Sequence, residues 1–150
     1  MAAPLVAAET AARHYDHGHN CAEAVLRTFA DDRGEDEVVR LATGFGGGMG
    51  RDGAQCGALA GAAMALGLWF GRLDAEDEVA KERCYASVHE LRDHFREAFG
   101  SVDCRDLVAV DLRTEEGRRA YEDGALSASV CRQCVREAAR IVAEILARET

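Results

Sequence analysis

The sequence predicts an all-α protein, a compact bundle of about six helices built around one apolar helix at residues 56–70. Three observations carry that prediction. Apolar residues recur at helical spacing along most of the chain, while the alternation expected of half-buried strands scarcely appears. The run AQCGALAGAAMALGLWFG has no polar face, so a helix made from it needs other helices to cover it. The one proline, Pro4, stands near the very start, where it suits a helix N-terminus.

Taken in order, Pro4 suits a helix N-terminus, and Ala7 to Tyr15 reads as the first helix, ending near Gly18. Asn20 is a good cap for the second, Cys21 to Phe29, where Ala22, Val25, Leu26 and Phe29 share one face. After the charged turn Asp31 to Asp36, a short helix from Glu35 to about Ala42 leads into the glycine-rich loop TGFGGGMGRDG. The central helix follows directly. Asp74 then caps a long charged helix to about Ala98, whose Cys84, Val88, Leu91 and Phe95 form a narrow apolar stripe expected to lie on the central helix. Gly100 and Ser101 end it, and Asp103 caps a short helix from Cys104 to Val110. Thr114 to Asp123 reads as another helix, weakened by Gly117. The last, about Val130 to Arg148, is capped by Ser129 and buries Val135, Ala138, Val142, Ile145 and Leu146. No repeat or low-complexity linker divides the 150 residues, so residues 1–150 are expected to form a single four-cysteine helical domain.

Composition narrows the function classes. A net charge of -9, with Lys81 the one lysine and arginines interspersed with acids, argues against a nucleic-acid or anionic-membrane surface. The opening MAAPLVAAETAARHY lacks the basic n-region of a signal peptide. The longest apolar run, Cys56 to Phe70, falls short of the roughly 20 residues a membrane span needs. These features lead to the expectation of a soluble, cytoplasmic protein. In a reducing compartment its six cysteines are expected to be reduced, metal-bound or catalytic rather than a structural disulfide frame.

Four of those cysteines share a setting. Cys21, Cys56, Cys104 and Cys131 each fall in the first turn of an expected helix, behind Asn20, the Asp52 to Gln55 turn, Asp103 and Ser129. The partial positive charge of a helix N-terminus favours thiolate over thiol. Should these helix starts converge, several thiolates would share one pocket. Such a pocket suits thiol redox chemistry, or a soft metal or iron-sulfur cluster held by four thiolates.

The blocks GHNCAEAVL around Cys21, FGGGMGRDGAQCGALAGAAMALGL around Cys56, FGSVDCRDL around Cys104 and CRQCVREAARIVAEIL from Cys131 resemble the redox-active protein family named for its pattern C, GCAxxG, C, C. They follow the family's order and span nearly the whole chain. The resemblance implies a small helical, redox-active protein whose pattern cysteines are Cys21, Cys56, Cys104 and Cys131. A related domain in a haem-containing cytochrome is associated with an iron-sulfur cluster, so the resemblance also implies that these four could hold one. Three positions depart from the pattern. The central block reads Cys56-Gly57-Ala58-Leu59-Ala60-Gly61, with glycine after the cysteine. His19 stands where an aromatic residue is expected, and Cys134 where an apolar or aromatic one is, which makes both candidate extra ligands.

The remaining reactive residues carry weaker signals. Cys131 and Cys134 spell C-x-x-C at a helix start, but the strand-helix-strand context of thioredoxin-like motifs is missing. Cys84, on the apolar stripe, reads as core. His14 and His17 read as exposed at a fraying helix end, although with His19 and Cys21 they have the donor types of a zinc site. His89 and His94 are expected to face water. Gly48, Gly50 and Gly53 spell G-x-G-x-x-G, yet the charged segment Asp74 to Ala98 offers no second strand for a dinucleotide fold. Two functions from different classes follow. One is a redox carrier or oxidoreductase, working by thiol/disulfide exchange or through an iron-sulfur cluster, with a redox partner protein. The other is a metal-binding accessory module with zinc on the same cysteines. A homo-oligomer is compatible with either.

Overall fold

The computed structural model describes residues 2–149. Among these it contains helices and turns but no strand, as the periodicity predicts. Among the described residues eight α-helices are present: the glycine loop contributes a short one that was not expected, while the segment from Glu35 is not α-helical.

Helix α1 (Pro4–Asp16) begins at the proline itself, whose missing N–H would have had no partner there. Helix α2 (Cys21–Ala30) starts with a capping box: the Asn20 side chain accepts the Glu23 N–H at 2.9 Å, and the Glu23 carboxylate accepts the Asn20 N–H at 2.8 Å. The segment expected as a helix from Glu35 is a 3-10 helix, Asp36–Phe45, which buries only Val39 and Ala42. The glycine loop then makes the four-residue α3 (Gly46–Met49).

The central helix is α4 (Gly57–Phe70), with Cys56 as its N-cap. Helix α5 (Glu78–Phe99) is capped by Asp77 and not by Asp74. The Asp74 carboxylate instead accepts the Glu76 N–H in the preceding turn, so the helix starts one turn later than predicted. Helix α6 (Cys104–Val108) stops short of Val110, because Ala109 takes a left-handed conformation with φ of 56°. Asp103 does not cap it; its own N–H is donated to Ser101 Oγ at 3.1 Å. Helix α7 (Glu115–Asp123) tolerates Gly117 for a reason of space: a Cβ there would run into the Asp111 carbonyl. Helix α8 (Arg132–Glu149) is preceded by a π-helical turn, Ser127–Cys131. Ser129 therefore is not an N-cap. It lies inside a helix already under way and bonds back to the Ala125 carbonyl at 3.1 Å.

Helix α1 lies along α8, and α4 crosses α2 and packs on α5 and α8. Phe29, Leu59, Leu66, Leu91, Phe95 and Ile141 are fully buried between them. The predicted buried face of α8 is buried throughout, and Leu91 and Phe95 carry the α5 stripe into the core while Cys84 and Val88 stay partly exposed. The cover over α4 is less complete than its sequence suggests, since Ala63, Met64, Gly67 and Leu68 keep some exposure. Where α4 crosses α2, Gly61 rests directly on the Ala22 carbonyl. Among the described residues no helix is long and apolar enough to cross a membrane.

Candidate functional site

The site is built from the start of α2 outward. Cys21 is the first residue of α2, and the cap that orders this turn also holds the glycine loop. Asn20 Nδ2 donates to the Thr43 carbonyl at 2.9 Å, and Thr43 Oγ1 donates to the Glu23 carboxylate at 2.8 Å. Beyond Thr43 the loop folds back through left-handed glycines, among them Gly47 (φ 66°) and Gly48 (φ 70°). Gly48 is constrained twice, because a Cβ would also come within 2.7 Å of Cys104 Cβ and 2.6 Å of the Ala54 carbonyl.

A short backbone clamp then joins two cysteines far apart in sequence. The Cys56 N–H donates to the Val102 carbonyl at 2.8 Å, the Cys104 N–H to the Ala54 carbonyl at 2.7 Å, and Gln55 and Asp103 form an isolated antiparallel bridge. These bonds satisfy the first N–H of α6 and set Cys104 beside Cys56. Gly57 completes the approach from the third side: a Cβ there would strike Cys21 Sγ and stand 2.7 Å from the Phe45 carbonyl. The glycine that follows the cysteine in this chain is thus the space occupied by another cysteine. Cys131 arrives from the π-helical turn, and Cys134 from the first turn of α8.

The result is a cavity of about 30 Å³ onto which Cys21, Cys56, Cys104, Cys131 and Cys134 all open, with Gly47 and Gly57 between them and Leu107, Val108 and Val130 closing it. It has room for about a water or two. Cys56, Cys104 and Cys134 are buried, while Cys21 and Cys131 keep partial exposure. The four cysteines predicted to converge do so, and Cys134 joins them. Cys84 lies elsewhere, on α5. His19 does not line the cavity; its Nε2 meets Arg27 at 3.3 Å and its ring packs edge-on against His14. His14 is half-buried and faces Asp31 at 3.8 Å, whereas His17, His89 and His94 are exposed.

The electrostatics run against the sequence expectation. Burial pushes Cys21 and Cys104 each up to about 12, with neighbouring thiols adding to the rise. Cys56 is held well above the usual thiol range by its hydrogen bond with the Cys134 thiol and then by burial, although the Leu59 and Ala58 N–H groups pull it down. Cys131 is raised by burial and lowered by hydrogen bonding to Tyr121 and Tyr15. Helix N-termini do lie behind Cys21, Cys56 and Cys104, but half a unit of positive charge is too little to offset burial in an apolar cavity among other sulfurs. Cys131, inside a continuous helix, lacks even that.

Two relationships at the site gave little warning in the sequence. One is the partnership of Cys134, which the sequence offers as an extra ligand and whose C-x-x-C spacing points to Cys131, although its thiol is hydrogen-bonded with Cys56. The other is a hydroxyl network: Tyr121 donates to Cys131 Sγ at 3.2 Å, and Tyr15 shares a 2.6 Å hydrogen bond with Ser127 Oγ and bonds to Tyr121. No local spacing links Tyr15 on α1 with Tyr121 on α7.

Chemically, five sulfurs are soft donors of the kind that zinc and iron-sulfur clusters take. Among the described residues, however, no three His, Cys, Asp or Glu side chains are arranged to hold a metal ion.

The family model described as "Putative redox-active protein (C_GCAxxG_C_C)" matches residues 19–145. Curated proteins and solved structures provide no match to the chain.

Proposed function

The chain belongs to the C_GCAxxG_C_C family, and on that premise we propose that it carries reducing equivalents by exchanging two cysteine thiols for one disulfide at this cavity. The observation that carries the reading is the convergence of five thiols from four parts of the chain on one small space. In this scheme Cys131 is the first thiol to react. It keeps partial exposure, and the Tyr121 hydroxyl bonded to its sulfur favours the thiolate that attacks an incoming disulfide. The thiols behind it, shielded from solvent, resolve the mixed disulfide, and the apolar walls keep competing water out. The substrate is then a disulfide, on a partner protein or a small molecule, or its reduced dithiol in the reverse direction.

A metal centre on the same cysteines is the second reading, favoured by the softness of the donors and by the mutual repulsion of their thiolates, which a cation would relieve. Anaerobic purification followed by an absorption spectrum, metal and sulfide analysis and thiol titration separates the two. A metal-free protein whose thiols are lost and regained in pairs supports exchange. Stoichiometric zinc, or iron with sulfide and visible absorption, overturns it in favour of the metal centre. Cys84→Ala serves as a control that leaves the result unchanged, because Cys84 lies away from the cavity.

A further inference from the structure

Cys134 lies outside the four-cysteine pattern, is 2 % exposed, and stands on the wall of the cavity. Its sequence spacing would pair it with Cys131. The side-chain contacts divide the C-x-x-C differently: Cys131 takes its hydrogen bond from Tyr121, on the outer side, while the Cys134 thiol is hydrogen-bonded with Cys56. Cys56 is held in place by the bond from its N–H to Val102 and by its position as N-cap of α4. Two buried thiols on the wall of one cavity, hydrogen-bonded with each other and with one backbone fixed by a clamp and a helix start, are the pair placed to join in a disulfide.

We propose that the oxidised form of this protein carries a Cys56–Cys134 disulfide, with Cys134 as the terminal electron-donating thiol and Cys131 as the thiol that passes oxidation inward. The inference rests on the thiol-exchange reading above. The oxidant is an external disulfide, RS–SR. The Cys131 thiolate attacks one sulfur, forming the mixed disulfide Cys131–S–S–R and releasing RS⁻, which takes up the Cys131 proton. Cys56 then attacks the Cys131 sulfur, expelling the second RS⁻ with the Cys56 proton and leaving a Cys56–Cys131 disulfide. Cys134 attacks the Cys56 sulfur, and its proton returns to Cys131. In sum, the Cys56 and Cys134 thiols are oxidised, one external disulfide is reduced to two RSH, and Cys131 ends as it began. The two buried sulfurs then hold the oxidised state where solvent thiols do not reach it.

The test uses the full-length reduced protein, treated anaerobically with oxidised glutathione. Remaining free thiols are blocked in acid, and the protein is digested and mapped by mass spectrometry without reduction. The expected product is a Cys56–Cys134 linked peptide with Cys131 blocked as a free thiol. A second measurement maps the oxidised product of Cys134→Ala: both glutathione equivalents are still released, but the chain is expected to stop at a Cys56–Cys131 disulfide, with loss of the free Cys131 thiol. A wild-type disulfide joining Cys56 to Cys21, Cys104 or Cys131 while Cys134 stays free overturns this inference and leaves thiol exchange standing. A Cys134→Ala product that leaves Cys131 as a free thiol also overturns it. Complete absence of any reversible disulfide overturns the exchange reading and this inference together.

Discussion

The Tyr121 hydroxyl donates a hydrogen bond to Cys131 Sγ across 3.2 Å. Tyr121 stands on α7, which otherwise contacts the core little, so this bond gives that helix a role at the site. Because a hydroxyl donor stabilises thiolate over thiol, Tyr121→Phe is expected to raise Cys131 further above the usual thiol range. Less thiolate would be present near pH 8, and alkylation of Cys131 is expected to slow by about three- to tenfold. Site-resolved alkylation kinetics followed by mass spectrometry measure this. A rate equal to wild type would show that the hydroxyl does not act on the sulfur.

Gly57 and Gly61 sit one turn apart on α4 and are filled by different neighbours, Cys21 Sγ and the Ala22 carbonyl. Alanine at Gly61 forces α2 and α4 apart, and about 1–3 kcal/mol of destabilisation is expected in urea unfolding, as for other overpacked crossings. Alanine at Gly57 would strike Cys21 Sγ and stand 2.7 Å from the Phe45 carbonyl, so a loss of stability is expected there too, together with displacement of Cys21, read as faster alkylation of that thiol. Unaltered Cys21 reactivity in that variant would contradict this reading.

The capping box at Asn20 serves both helix and loop. Asn20→Ala removes the acceptor for the Glu23 N–H and the donor to Thr43, and a loss of about 1–2 kcal/mol is expected from the cap. The loop beyond Thr43 roofs the cavity, so amide hydrogen exchange at residues 44–53 is expected to quicken in the same variant. Loss of stability without faster exchange there would mean that the loop is held by its bonds to the Cys104 segment alone.

The thiols also make stability depend on pH. Cys21 and Cys104 sit at about 12 in the folded protein against an ordinary value of 9.0, so folding favours their protonated forms. That stability is fully present below about pH 9 and is lost as pH rises toward 12, because the unfolded chain releases protons that the folded chain retains. Urea midpoints of the reduced, metal-free protein are expected to fall steadily above pH 9. Substituting Cys21 and Cys104 by alanine should flatten that fall. A metal bound to these sulfurs would remove it as well, since coordinated thiols are already deprotonated.

The helical content was legible in the chain because it rests on local periodicity. The buried face of α8, the apolar run of α4 and the Asn20 cap need only neighbours within a turn or two, and each stands where the sequence places it. The failures were also local in kind. Asp74, Asp103 and Ser129 are all capable caps, but which of several nearby polar residues caps a helix depends on the chain's path before it, and here Asp77, a backbone clamp and a π-helical turn decided otherwise.

For the site, residue types and spacing were enough to single out Cys21, Cys56, Cys104 and Cys131, since free cysteines at expected helix starts are uncommon. Their convergence required long-range contacts: the Gly53 to Cys56 strand-like clamp with Val102 to Arg105, and the approach of α2 to α4 at Gly57 and Gly61. Partnership among the sulfurs is likewise a tertiary matter. Spacing ties Cys134 to Cys131, and helix position argues for thiolates, whereas the folded chain puts Cys134 against Cys56 and raises the thiols by burial. The reason is physical. Periodicity and capping are set by neighbours along the chain, but desolvation and side-chain contact depend on which segments pack together, and those segments are brought here by backbone that carries no chemistry of its own.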